Sequence, residues 1–352
     1  MTAEIPKVRV FLEDAQIINR PGMAGKIAVI GAFDSTETEP LLFTSLNDAY
    51  AELGTATTYK GCSCLDKLFY GAGSVLAVNI TTKTGSGAEE VIDKTLTTQK
   101  LSAALAKIKG EDWDILFIAE NITDEAIVII DAYLDETFEM KYPAGYVAGL
   151  TRANASAYET TAGKIGTHSY GIITQQLSVN GVELSIEDSG AYYAGVIAGM
   201  NVGNSMTMKT VPNVTGLNPE LSFETGGNGK ALLEQGYTTL KCQDRGNGNY
   251  VVVNSEQPNG YDLYVNRTRD FVIKEMALHQ FLGERNRTAT LDEIKHEVDR
   301  VKEECVTTLD LLEDINYEVV KKDANCVDIY IDSLVFAGII TTIDVYVKVE
   351  VE

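Results

Sequence analysis

Two apolar patterns run through this chain. In one, apolar residues alternate with polar ones, which is the period of a strand with a single buried face. In the other they form short continuous runs or recur at three- and four-residue spacing, as on a helix with one buried side. The strictest alternation is TTIDVYVKVEVE, residues 341–352, where Ile343, Val345, Val347, Val349 and Val351 face one way and charged or tyrosine residues the other. Near the start, KVRVFL puts Val8, Val10 and Leu12 in one phase, and NRPGMAG supplies the turn chemistry that ends it. Two strands at opposite ends of a chain point to a protein that works through its edges.

Between them, apolar runs and helical patterns take turns. KIAVIGAF reads as a buried strand, TSLNDAYAELG as a helix capped by Thr44 or Ser45 and stopped by Gly54, CLDKLFYGAG as a second helix, and SVLAVNIT as a second strand. The order continues with GAEEVIDKTLTTQKLSAALAKIKG as helix, DWDILFIAE as strand, TDEAIVIIDAYLDETFEM as helix and YPAGYVAGL as strand. Helices between apolar strands predict a mostly parallel sheet covered on both faces. IEDSGAYYAGVIAGMNVGN is a helix of small residues fit for close packing. Residues 205–260 are rich in Gly, Asn and Thr, with YTTLKC and NYVVVNS as strands between turns. Then YVNRTRDFVIKEMALHQFLGERN reads as a long helix. Thr290 and Glu293 form a capping box for another, whose apolar stripe runs Leu291, Ile294, Val298, Val301, Cys305, Leu309 and Leu312. CVDIYIDSLVF and the closing stretch supply two more strands.

The fold class expected is α/β: a mixed sheet with helices on both faces, a C-terminal α+β domain, and extended N- and C-terminal strand arms. The expected divisions are an N-terminal arm over 1–25, an α/β domain over 26–245, an α+β domain over 246–340 and a strand arm over 341–352.

Charge narrows the partners. With 29 basic and 51 acidic residues the formal charge is −22, a surface that repels nucleic acid and anionic lipid, so neither is expected as a partner. Copies of the chain also repel one another, and self-assembly needs short-range contacts that outweigh that repulsion. No apolar run reaches the roughly 18 residues that cross a bilayer, and the N-terminus lacks the basic and apolar regions of a secretory signal. Five scattered cysteines fit synthesis in a reducing cytoplasm.

Catalytic motifs are missing from the sequence. ETGGNGKA has Glu224 and Ala231 where a phosphate loop needs its first glycine and its hydroxyl, so it reads as a turn. AVIGAFDST carries one glycine of the three that a dinucleotide fingerprint requires. His168, His279 and His296 lack metal-ligand spacing, as does the pair Cys62 and Cys64. No cofactor, metal or catalytic residue is expected.

The ordered set of segments resembles the contractile tail sheath proteins of bacteriophages and R-type bacteriocins. AVIGAFDSTETEPLLFTSLNDAYAELG and CLDKLFYGAGSVLAVNI are similar to that family's opening, SGAYYAGVIAGMNVGNSMTMKTVPNVTGL to its small-residue helix and polar Ser/Thr-Lys segment, and LYVNRTRDFVIKEMALHQFLGERN with TTIDVYVKVEVE to its C-terminal part. The resemblance implies a virion structural protein that is not an enzyme. It would polymerise helically around an inner tail tube in stacked hexameric rings, bound by baseplate and tail terminator proteins. Its contraction would drive the tube through a target cell envelope. Such a subunit is made in the bacterial cytoplasm and released in its particle by lysis.

The resemblance also implies that both arms leave their own subunit and add strands to small sheets in neighbours, with Val8, Val10, Leu12, Ile343, Val345, Val347, Val349 and Val351 as buried anchors. The alternative for the last strand is a hairpin with the chain's own VDIYIDS. Residues 264–287 carry Arg267, Arg269, Lys274, Arg285 and Arg287 against three acidic residues, the reverse of the overall sign, and are expected to touch the tube or a neighbour. Rival readings are a cytosolic α/β enzyme with an unrecognised site, and a non-contractile tail or shell protein.

Overall fold

The computed structural model describes residues 25–84, 91–140, 142–243, 248–277, 281, 287–322 and 326–338. Its apolar runs become the middle of a sheet. Strand β1 (Lys26–Gly31) is buried from Ile27 onward. An edge strand β2 (Leu41–Phe43), helices α1 (Leu46–Leu53) and α2 (Lys60–Leu68), and β3 (Ser74–Asn79) follow. The Ser45 hydroxyl caps α1 by accepting from the Asp48 amide, and Gly54 ends it at φ 83°, a value that favours glycine.

The next stretch departs from the sequence pattern. Where one long helix is expected, the chain forms a hairpin of β4 (Thr82–Thr84) and β5 (Val91–Asp93), and α3 spans only Thr98–Lys107. Val91 and Ile92 are β-branched, and the helix starts only where the Thr97 hydroxyl accepts from the Lys100 amide. Then come β6 (Ile115–Ile118), α4 (Asp124–Glu139), β7 (Gly145–Gly149), α5 (Ala155–Ala162) and β8 (Ser169–Ile173).

The main sheet has the order β2-β3-β1-β6-β7-β8, with β2 antiparallel and the rest parallel. The chain moves outward from β1 to β3, then returns past β1 to β6 and beyond. Right-handed crossovers therefore put α2 on one face and α3 and α4 on the other. This is a mixed α/β sheet, as the apolar runs predict.

A small sheet of β10 (Val182–Glu183), β9 (Gln176–Val179) and β11 (Val214–Asn218) follows. Helix α6 (Ile186–Ala198), the small-residue helix, crosses β7 and α2. A Cβ on Gly190 would lie 2.5 Å from the Gly149 amide nitrogen, so the two backbones approach as only glycine permits. After α7 (Asn228–Glu234), β12 (Leu240–Cys242) pairs with β13 (Tyr250–Val252). The chain closes with α8 (Leu263–Met276), α9 (Thr288–Glu303), β14 (Asp314–Lys321) and β15 (Val327–Val335). One apolar core runs from Ile27 to Leu263 and a second is built from Val272 onward, so the two part on α8.

Candidate intersubunit site

The second core is small, and its outer layer is a two-stranded sheet. Ile294, Val298 and Val301 form the buried side of α9. That helix begins at Thr288 with Arg287 in the cap position and no side-chain cap bond, so Thr290 is already helical and the expected capping box does not form. It also ends before Leu309: a π-helical turn over Glu304–Thr308 seats Cys305 in the core, and Leu311 and Leu312 are buried beyond it.

Strand β14 lies on α9, with Ile315 and Val319 buried. Its antiparallel partner is β15, running from the pair Asp314 and Val335 to the pair Lys321 and Val327. The apolar phase of β15 is Val327, Ile329, Ile331 and, past an irregularity at Asn316/Tyr317, Leu334. These side chains are only half-buried because α9 sits under β14. Among the described residues neither outer edge of this pair has a partner strand.

The other face of the pair is acidic. Tyr330 is 49% exposed and donates its hydroxyl to Asp328 Oδ2 at 2.9 Å. That bond, then Cys326 and Lys322 at 3.3 Å, holds the Asp328 carboxyl below its ordinary range. Glu318 and Asp332 are exposed, with no ion pair among the described residues.

The predicted arm residues, Val8, Val10, Leu12, Ile343, Val345, Val347, Val349 and Val351, lie outside the described residues, as does Arg285. Arg287 stands exposed at the start of α9.

The remaining basic residues expected at the tube or a neighbour, Arg267, Arg269 and Lys274, all bond within their own chain. Arg267 is 4% exposed, and its Nη2 donates to the Met200 carbonyl at 3.3 Å, near the negative end of α6. Burial pulls its pKa down. Arg269 Nε donates to Asp270 Oδ1 at 2.8 Å, and its guanidinium lies 5.4 Å from the centre of the Phe138 ring. Burial pushes the Asp270 carboxyl up even though the Tyr170 hydroxyl donates to it at 2.6 Å. Lys274 Nζ donates to Asp114 Oδ1 at 2.7 Å and to the Trp113 carbonyl at 2.5 Å. The reason is position: α8 joins the two cores, so its cations serve carbonyls and carboxylates of their own chain.

Where the strand order reverses at the carboxyl ends of β1 and β6, the usual ligand position in an open α/β sheet, a cavity of about 700 Å³ is lined by Ala32, Lys60, Lys94, Thr97, Glu120 and Thr123 among others. The Lys60 ammonium stands 2.5 Å from Glu120 and 2.7 Å from Glu187. Burial raises the Glu120 pKa. Burial acts the same way on Glu187, but hydrogen bonds led by Lys60 outweigh it and the net shift is downward. The charges largely satisfy one another.

The backbone amides are engaged too. Gly61 N donates to the Ala32 carbonyl at 2.9 Å, and in the ETGGNGKA turn Gly227 N and Gly229 N donate to Glu224 and Ser222 carbonyls. Among the described residues no three His, Cys, Asp or Glu side chains gather to hold a metal ion.

Comparison with solved structures settles the architecture. A sheath tail protein from Desulfitobacterium hafniense superposes with a TM-score of 0.66 at 12% identity, over 94% of this chain and 99% of its own. A chain of the anti-feeding prophage baseplate gives 0.68 at 11%, over 99% and 100%. The contracted helical sheath of the same prophage gives 0.62 at 13%, over 99% of both chains.

This is the tail sheath fold.

No protein-family model matches the sequence, and no curated protein resembles it at the sequence level. The likeness spans nearly the whole chain. Sequence reasoning found β15 and missed β14, which is its partner among the described residues. The signal was there, since Ile315, Tyr317 and Val319 alternate in DINYEVVK, but the adjacent Val320 blurs the phase.

Proposed function

We propose that this chain is the structural subunit of a contractile tail sheath. It polymerises helically around an inner tube on a baseplate, and contraction drives the tube through a target envelope. The observation that carries the reading is the β14–β15 pair on a tail sheath fold: a half-covered apolar face with open edges among the described residues. Isolated two-stranded ribbons are marginal in water, and open edges invite pairing with another chain. Strands supplied by neighbouring copies cover both liabilities, with main-chain hydrogen bonds for adhesion and side-chain alternation for register. A contact of this head-to-tail kind repeated by rotation and rise generates a helical polymer.

The arms, residues 1–25 and 341–352, are the donors in this reading. They tether subunits while the lattice changes shape, and small gains per subunit add over the polymer. Tube and terminator proteins are its further partners. The subunit works without catalysis, is made in the bacterial cytoplasm and leaves the cell in its particle on lysis.

Electron microscopy of the purified full chain tests this. Tubes of two lengths and diameters are expected. One fixed lattice supports a non-contractile tail or shell protein, and a chain that stays monomeric at every concentration overturns the reading.

A further inference from the structure

The cavity at the carboxyl ends of β1 and β6 carries polar groups that its own ion pairs leave open. Its volume, about 700 Å³, is that of a site for a small molecule. The described lining includes two lysines, Lys60 and Lys94, and two glutamates, Glu120 and Glu125, so its charge is balanced. Lys60 is engaged by Glu120 and Glu187. Lys94 makes no ion pair among the described residues, and its ammonium stands 3.4 Å from the centre of the Tyr59 ring and 3.3 Å from the Thr58 carbonyl oxygen. Glu120 meets Lys60 through Oε2, while its Oε1 has no hydrogen bond among the described residues although the side chain is only 18% exposed. Leu96, Leu101 and Ile122 supply an apolar part of the wall.

An open cation and a half-engaged carboxylate in a balanced wall are complementary to a ligand that carries both charges itself. An anion meets the field of a chain of charge −22, and a cation meets Lys60 and Lys94; a zwitterion is opposed by neither. We infer that this cavity binds a small zwitterion of amino-acid or dipeptide size with an apolar side chain, its carboxylate on Lys94, its ammonium on Glu120 Oε1 and its side chain against Leu96, Leu101 and Ile122. Charge-assisted hydrogen bonds fix the orientation of such a ligand, and the apolar wall takes up its side chain. The wall is drawn from α2, α3, α4 and the end of β1, so an occupant joins these elements and stabilises the folded chain by mass action. The site goes beyond the sheath reading and is independent of whether the chain polymerises.

The test titrates leucine and leucyl-leucine into the purified full chain by isothermal calorimetry, with the melting temperature as a second readout. Binding of at least one is expected, and the melting temperature should climb with its concentration. The N-acetylated form, which lacks the ammonium, and the C-terminal amide, which lacks the carboxylate, should each bind about tenfold more weakly, the loss of one hydrogen-bonded charge. Lys94→Met should weaken the zwitterion by about tenfold and leave the amide's affinity unchanged, because the amide has no carboxylate for Lys94 to hold. That comparison separates a lost charge pair from lost packing. If circular dichroism shows Lys94→Met unfolded, Lys94→Gln, which keeps a donor without the charge, takes its place. No binding of either probe, blocked analogues that bind as tightly as the zwitterion, or a Lys94 variant that binds like the parent overturns the inference.

Discussion

A largely buried carboxyl, that of Asp131, lies between α4 and the turn that leads into β8. Asp131 Oδ2 accepts from the Gly166 amide at 2.8 Å, while its Oδ1 is buried and has no hydrogen-bond partner. His168 lies in the same pocket, its Nε2 3.0 Å from Asp135 Oδ1 and its Nδ1 buried without a partner. The hydroxyl of Tyr146, also unpartnered, is near enough to feel the charge of the same carboxyl. Burial is the main cause that pushes the Asp131 pKa up to about 6; the Gly166 amide and His168 oppose the rise and Asp135 adds to it.

An acid whose folded pKa exceeds its unfolded value of about 3.8 binds its proton more tightly in the native state. Its contribution to stability is complete below pH about 4 and is lost as pH rises through about 6. Two units correspond to about 3 kcal/mol, and partial solvation of the carboxyl reduces this to about 1–2 kcal/mol. Asp131→Asn removes the charge and keeps the acceptor for Gly166. The variant should therefore be more stable than the parent by about 1–2 kcal/mol at pH 8 and about equal to it at pH 4. Urea unfolding of the monomeric protein at both pH values measures the difference. A gap that is the same at pH 4 and pH 8, or one that favours the parent at pH 8, refutes the reasoning.

Two further outcomes are expected. Gly149→Ala drives a Cβ into the Ile186 carbonyl where α6 crosses β7, and should cost about 2–3 kcal/mol or more; a variant melting like the parent removes the close approach as the reason for glycine there. Deleting residues 341–352 should leave a folded chain that cannot polymerise, as read by circular dichroism and sedimentation. A truncated chain that simply unfolds instead favours a hairpin within the subunit.

Much of the architecture was legible because burial on both faces writes itself as apolar runs. KIAVIG, SVLAVN, ILFI and GYVAG became β1, β3, β6 and β7, and their alternation with helices predicted the mixed, largely parallel sheet. Local chemistry also set the helix starts at Ser45 and Thr123, where a side-chain oxygen accepts a backbone amide within three residues; the same cap at Thr97 was missed under a longer helical pattern. Such signals are short-range, so one sequence suffices to read them.

Tertiary structure alone decided where the charges of α8 go. In sequence Arg267, Arg269 and Lys274 are only a local excess of basic charge; their partners Met200, Asp270 and Asp114 are mostly distant in the chain and meet them because α8 lies between two cores. It also decided that β15 pairs with β14 and that α9 covers one strand of the pair and not the other. A strand's period states that one face is buried but not against what, because hydrogen-bond partners across a sheet are chosen by packing far away in sequence.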